Sequence, residues 1–305
     1  METPLSRLRS ITIAKEGISI SSNLVQACAM RGIRIFFAGW DRKAYAAMIG
    51  GINQHGTVAI RQAQFRCVEN GDAFYPAREI IATKVRNQRA VLLYFGKYLN
   101  KSDPEKGRIT ELAAEKLKNM YRCVKEAERE GGAVSWQDSL MGYEGRSALV
   151  YWQGLCSAGL MPASFVSREG RGSHEIANAA LNYGYAILRG YAWSSLENAG
   201  LELYAGVLHA PRPGKASLVL DFMEEYRAWI VDRNIIKLRG RLAENRELTP
   251  ALRKQLSAMV NEAMKAKITY HGKDLSVENV MQRQAYRFAA SFMTGEAYKG
   301  VRFRW

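Results

Sequence analysis

The apolar residues of this chain change their period near residue 75, and that change limits the fold more than any other feature. Before it stand the alternating runs Ile11-Thr12-Ile13 and Ile18-Ser19-Ile20 and the compact run Ile33-Arg34-Ile35-Phe36-Phe37, punctuated by Gly17, Gly32, Gly39 and Gly50-Gly51. A period of two broken by glycine predicts strands of a small sheet. Between them, Asn23 to Met30 has the composition of one short helix, with Ser21 or Ser22 as its cap. From about Pro76 the spacing becomes helical, as in Ile80, Ile81, Lys84, Val85, Gln88 and Leu92, and it stays so to near the end. The expected fold is therefore α+β with two domains: a small β-rich N-terminal domain over residues 1–75 and a larger, mainly α-helical domain over residues 76–305. The polar, turn-rich Glu69-Asn70-Gly71-Asp72 is the expected linker. Loops are expected at Asn100 to Gly107 and Glu130 to Ser135, and a helix break at Pro211-Arg212-Pro213-Gly214. No internal repeat or low-complexity tract interrupts this plan.

Composition narrows the partners. A chain of 305 residues, 48% hydrophobic, can bury a sizeable core, and its net charge of +15 attracts polyanions. The N-terminal Met1-Glu2-Thr3-Pro4-Leu5-Ser6-Arg7 lacks the apolar core of a signal peptide, and no apolar run reaches spanning length. The expectation is a soluble, cytoplasmic protein without a membrane partner. Cys28, Cys67, Cys123 and Cys156 form no CxxC pair, which excludes zinc ribbons and redox dithiols and leaves reduced, buried thiols. Rossmann, P-loop, kinase and serine-hydrolase readings lack their defining motifs, and Arg168 to His174 reads only as a loop.

Three segments can carry chemistry. Glu144 shares a helical face with Ala148, Tyr151, Trp152 and Leu155, so a carboxylate is aimed along an apolar stripe. Such a charge must be paired, hydrogen-bonded or bound to a cation. The bland alternative is a helix-edge Glu paired with Arg146. His209 ends the apolar segment Leu201-Glu202-Leu203-Tyr204-Ala205-Gly206-Val207-Leu208, and is either a ligand or a satisfied structural imidazole. Ser217, a candidate N-cap, opens Leu218-Val219-Leu220-Asp221-Phe222-Met223-Glu224-Glu225-Tyr226-Arg227, where Asp221, Glu224 and Glu225 crowd together. Their like charges repel unless a cation offsets them; the alternative is a solvated acidic face at a helix N-terminus. Two carboxylates and one imidazole suit a hard divalent ion, manganese or magnesium rather than structural zinc. The residues alone leave this site open.

These segments resemble the signature segments of the CRISPR adaptation integrase family, whose members insert new spacers into CRISPR arrays. The likeness runs from Pro4-Leu5-Ser6 through Ser19-Ile20-Ser21, Arg61-Gln62-Ala63-Gln64 and Lys84-Val85-Arg86-Asn87-Gln88 to Gln284-Ala285 and Tyr298 to Trp305, and is most specific from Gly206 to Arg227. It implies that Glu144, His209 and Glu224 bind the metal and that Asp221 contacts the metal or its waters. It implies that Asn178 to Tyr185 is a helix whose tyrosines, Tyr185 among them, line the DNA path, although a Tyr and Leu stripe is also what a core contains. It further implies a homodimer paired through the N-terminal domain, double-stranded DNA as partner, and either a small second adaptation protein in a larger complex, as is common in the family, or action without it, as in some members. In the family further strands usually precede the Pro-Leu-Ser segment, whereas here Met1 stands three residues before Pro4, so a shortened start or an abbreviated N-terminal domain is the expectation.

The expected reaction is transesterification, in which a fragment's 3′-hydroxyl attacks a phosphodiester with the metal orienting both. Arg146, Arg212 and Lys215 flank the ligand segments and are candidates for phosphate contact, with plain solvation as the alternative. A related mobile-element transposase is the second reading, placed lower because the sequence leaves no room for an added DNA-binding module after Tyr298 to Trp305. A noncatalytic DNA-binding protein is the third, opposed by the intact Glu144, His209 and Glu224 set.

Overall fold

The computed structural model describes residues 4–5, 8, 10–39, 44–48, 55–129, 135–170, 172–210 and 212–303. Near the N-terminus, β1 (Ser10–Ile13) runs parallel to β2 (Arg34–Ala38), and β3 (Ala44–Met48) pairs antiparallel with β2. A parallel pair needs a crossover, which α1 (Ser22–Met30) supplies. Of the two candidate caps, Ser21 is the one used: its hydroxyl accepts the Leu24 N–H at 3.3 Å. Cys28, Ile33 and Ile35 are buried in a cluster of their own, with Leu24, Val25 and Phe37 against it. Ile18-Ser19-Ile20 is not a strand. The chain turns at Gly17 with φ of +74°, and Ile20 leans on this cluster rather than pairing.

The strands are fewer than expected, because residues read as part of a β-rich segment form α2 (His55–Glu69). That helix packs against α10 (Val277–Thr294) and is tied to a distant loop by the buried Gln64. The Gln64 amide donates to the Glu202 and Ala205 carbonyls at 2.9 and 2.8 Å and accepts the Glu202 N–H at 2.9 Å. The expected linker is the turn between α2 and α3 (Phe74–Ser102).

From there the molecule is helical. The predicted face of α3 is buried at Ile80, Ile81, Val85 and Leu92. The loop expected at Asn100 to Gly107 shrinks to one residue: Asp103 ends α3, and its carboxylate accepts the Lys106 N–H at 3.2 Å to cap α4 (Pro104–Glu126), with Pro104 in the first turn. The chain continues through α5 (Trp136–Ser157), α6 (Ile176–Asn198) and α7 (Ser217–Tyr226), then a π-helical segment Arg227–Asp232, α8 (Arg233–Ala243) and α9 (Pro250–Lys265). A hairpin of β4 (Lys267–Tyr270) and β5 (Lys273–Ser276), not singled out in the sequence, interrupts this mainly helical part. Its two-residue turn, His271-Gly272, has φ of +48° and +75°, the pair of positive values that matches strand twist. The loop expected at Glu130 to Ser135 falls, apart from Ser135, outside the described residues, as do Gly50-Gly51 and Pro211. All four cysteines are free, Cys28 buried and the others half-buried. Among the described residues no helix is long and apolar enough to cross a membrane.

After α10 the chain runs without regular structure, yet Tyr298, Val301 and Phe303 are buried. Backbone groups hidden in this way must find partners. Asn87 of α3 donates to the Val301 carbonyl at 2.9 Å and accepts the Phe303 N–H at 3.2 Å. Glu225 of α7 accepts the Tyr298 hydroxyl at 2.7 Å and the Val301 N–H at 2.9 Å. Gly300 lies so close to α3 that an added Cβ would sit 2.3 Å from the Thr83 hydroxyl. Burial pushes the Glu225 carboxyl up to about 8, against the two hydrogen bonds that pull it down. Its folded pKa exceeds its ordinary 4.5, so its contribution is fully present below 4.5 and is lost as pH rises through about 8. Urea unfolding across this window should show wild-type stability falling with pH more steeply than that of Glu225→Gln, in which the other raised groups still titrate; equal slopes would refute the assignment.

Candidate active site

Three helical elements converge on one small polar cluster. Ser135 caps α5 by accepting the Asp138 N–H at 3.1 Å, and two turns later the helix presents Glu144 on the face that buries Tyr151 and Leu155. Opposite stands Lys84 of α3, itself buried. Its ammonium donates to Glu144 Oε1 at 2.5 Å and lies 2.7 Å from Glu224 Oε2 on α7. Arg227, the first residue of the π-helical segment, holds the other oxygen of Glu224 at 2.8 Å. Burial alone would strip the proton from Lys84, but the two glutamates outweigh it and its pKa rises. Burial would likewise neutralise Glu144, but Lys84 holds its carboxyl below the usual range. Each charge is retained only because the others are present.

His209 enters from the loop between α6 and α7. Asp221, fully buried, accepts from the His209 Nδ1 at 2.5 Å. The same carboxylate takes the backbone N–H groups of Val207, Leu208 and His209 at 2.8, 3.0 and 3.3 Å. Four donors on one carboxylate fix both the loop and the imidazole, placing the proton on Nδ1 and leaving the Nε2 lone pair available. The Asp221 hydrogen bond also raises the His209 pKa, ahead of burial, which lowers it. Only glycine fits at 206, since a Cβ there would lie 2.7 Å from the His209 carbonyl and 2.8 Å from Asp221 Oδ2.

The structure thus brings Glu144, Glu224, His209 and Asp221 into one neighbourhood and excludes the solvated acidic face: Asp221, Glu224 and Glu225 are all buried. The three acids diverge to separate partners, His209 with the loop amides, Lys84 with Arg227, and the C-terminal tail. Ser217 is the first residue of α7 rather than its cap, and its hydroxyl donates to the Ala210 and Lys215 carbonyls. Glu144 does not pair with Arg146. Two positions apart on a helix they point away from each other, and Arg146 is exposed over the Tyr143 ring at 4.9 Å. Arg212 and Lys215 close a surface turn, the Lys215 N–H donating to the Arg212 carbonyl at 3.0 Å. Tyr185 packs behind the cluster. Its hydroxyl donates to Asp232 Oδ1 at 2.5 Å, and its ring lies under Arg227 at 4.8 Å and Arg168 at 5.3 Å.

For a divalent ion, the donor set has the right chemistry: two carboxylates, and an imidazole whose Nδ1 is held by Asp221. Among the described residues no three His, Cys, Asp or Glu side chains already converge as ligands, and the Lys84 ammonium lies where the glutamates meet.

The family model described as CRISPR associated protein Cas1 matches residues 1–269. The chain belongs to the CRISPR-associated Cas1 family. It is 41% identical over 302 residues to a CRISPR-associated endonuclease Cas1 of Francisella tularensis subsp. novicida, covering 99% of this chain and 90% of that one. Its fold is similar to that in a partial Cas6-RT-Cas1 and Cas2 complex, with a TM-score of 0.74, 18% identity and coverage of 98% and 89%. It is also similar to a casposase bound to integration product, with a TM-score of 0.71, 21% identity and coverage of 98% and 87%.

In this Cas1-family cluster, sequence reasoning missed Lys84 and Arg227 as members. Lys84 stands 60 positions from Glu144 and reads as one more amphipathic helix residue; its location on an otherwise buried face is the signal that it needs a carboxylate. Asp232 was also missed. Burial raises its carboxyl to about 6, against the hydrogen bond from Tyr185. Replacing the cation should expose the dependence: Lys84→Met should lower the unfolding free energy by about 3 kcal/mol, measured by denaturant titration with EDTA. Adding Glu144→Gln should restore part of that loss, and a Lys84→Met variant as stable as wild type would refute the arrangement.

Proposed function

We propose that this chain is a metal-dependent DNA integrase and endonuclease that inserts short DNA fragments into a CRISPR array. The reaction is a transesterification in which a fragment's 3′-hydroxyl attacks a phosphodiester. The observation that carries the reading is the half-buried Glu144 and the buried Glu224 facing one lysine beside a histidine locked by Asp221. The 41% identity to a CRISPR-associated endonuclease over nearly the whole chain supports the CRISPR array, rather than mobile-element ends, as the target.

Glu144, His209 and Glu224 would hold manganese or magnesium, which when bound polarises a phosphate and lowers the pKa of an attacking hydroxyl. The chain's own groups set the conditions. Asp221 spends both oxygens on His209 and its loop, so it acts as a positioning residue rather than an ion ligand. Arg227 anchors Glu224 through the oxygen that Lys84 does not face. Three carboxylates, Glu144, Asp221 and Glu224, stand against two fixed cations, Lys84 and Arg227, so the cluster accepts further positive charge. The surplus of Lys and Arg elsewhere suits binding to the phosphates of double-stranded DNA, with Arg146, Arg212 and Lys215 exposed or half-exposed for it. We propose a homodimer as the working unit. The Cas1 and Cas2 assemblies of similar fold support a small second adaptation protein as partner.

Joining of a labelled short duplex to a supercoiled plasmid bearing leader and repeat, with manganese, tests this. Wild type should give joined product, and Glu144→Ala and His209→Ala should give none. Asp221→Asn, which loosens His209 but removes no ligand, should slow joining about 10- to 100-fold. If the Glu144 and His209 variants join as well as wild type, the site is elsewhere.

A further inference from the structure

The loop between α6 and α7 delivers His209, and two side chains hold it. Asp221 grips its second half at the Val207, Leu208 and His209 amides. The first half is gripped from a different element. Gln64 of α2, fully buried, donates its amide to the Glu202 and Ala205 carbonyls at 2.9 and 2.8 Å and accepts the Glu202 N–H at 2.9 Å. A neutral amide offers two donors and an acceptor oxygen, and here all of them serve one stretch of backbone. Helix α2 meets the loop again at Gly200, which has φ of +81°. A Cβ at that position would lie 3.2 Å from the Thr57 hydroxyl and 3.5 Å from Ile60 Cδ1. The helix itself is seated against α10.

The two grips are mechanically joined. Only Gly206 separates Ala205 from Val207, and a Cβ there would lie 2.7 Å from the Ser217 Cβ at the start of α7, so the junction is packed tight. The Leu203 carbonyl accepts the Leu218 N–H at 3.0 Å, which ties the first half to the helix that carries Asp221 and Glu224. Leu201, Leu203, Val207 and Leu208 are buried, and close-packed residues pass a displacement on rather than absorb it. We propose that Gln64 is a positioning residue for His209, fixing the first half of its loop as Asp221 fixes the second. It acts through the backbone at Gly206 and not by contact with the ring. Without it the Glu202 and Ala205 carbonyls lose their partners in a dry interior, and the backbone ahead of His209 turns as they find others. That His209 serves a metal rests on the function proposed above; that Gln64 holds its loop does not.

Two measurements on the full chain test this. In the first, protein freed of metal by dialysis is titrated with manganese while electron paramagnetic resonance reads the free ion. Wild type is compared with Gln64→Met, which keeps the shape and removes all three hydrogen bonds. The control is Gln284→Met, at an equally buried amide of α10 that bonds the Lys299 carbonyl. Gln64→Met should weaken manganese binding about tenfold, and Gln284→Met should leave it unchanged. Added to His209→Ala, Gln64→Met should cause no further loss, because its effect runs through that imidazole. In the second, hydrogen exchange in EDTA should show the Val207, Leu208 and His209 amides exchanging faster in Gln64→Met and unchanged in Gln284→Met. Thermal melting establishes that each variant is folded. Gln64→Glu, which keeps the acceptor and loses both donors, should behave alike and serves if Gln64→Met does not fold. Where wild type binds manganese, equal binding by Gln64→Met overturns the proposal, and so does an equal fold-loss in the His209→Ala background, the mark of general loosening. If wild type binds no manganese yet the 207–209 amides open in Gln64→Met, the metal reading falls and the hold on the loop stands. If binding depends on Glu144 and His209 while Gln64→Met binds normally, the role of Gln64 alone falls.

Discussion

The structure turns on a buried lysine held between two glutamates, one buried and one half-buried. Lys84, Glu144 and Glu224 come from α3, α5 and α7, and none of the three could be buried alone without losing its charge. Their mutual attraction therefore does two things. It keeps ionised groups inside a helical core, and it fixes three helices at the separation that their side chains span. Arg227 adds a second cation on the far oxygen of Glu224, so the carboxylate is held from both sides.

Around this centre, buried polar groups spend their hydrogen bonds on irregular backbone. Asp221 gathers the Val207 to His209 amides, Gln64 gathers the loop at Glu202 and Ala205, and Asn87 with Glu225 gathers the C-terminal tail. The logic is the same in each case: unpaired backbone in a dry interior is costly, and one side chain with several acceptors or donors satisfies a whole segment. Asn87 lies one turn beyond Lys84 and Glu225 adjoins Glu224, so the clamps and the ionic cluster share their supports. The rigidity of the site and the packing of the tail are one property of α3 and α7.

The site was legible in proportion to how local its signals are. Glu144, His209, Asp221 and Glu224 stand out because each interrupts an apolar run or crowds like charges within one helix. Lys84 and Arg227 escape notice because a basic residue in an amphipathic helix has an ordinary explanation in solvent. The fold shows the same division. The first strands and α1 are readable from alternation and a serine cap, whereas α2 follows a glycine-rich stretch and was absorbed into the β-rich reading. The His271-Gly272 hairpin was passed over because its strands are only four residues each.

By itself the sequence determined which residues could carry a charge into an apolar setting, that α1 begins at a serine cap, and that the chain is strongly cationic, since these depend on spacing of a few residues and on composition. Only the tertiary structure decided that the partner of Glu144 is Lys84 rather than Arg146, that Asp221 serves His209 and that Glu225 faces away into the tail. Those choices join residues 60 positions apart for Lys84 and Glu144, 73 for Glu225 and Tyr298, and 12, across a loop, for Asp221 and His209. No local pattern encodes them, because a buried charge specifies that it needs a partner but not which element will bring one.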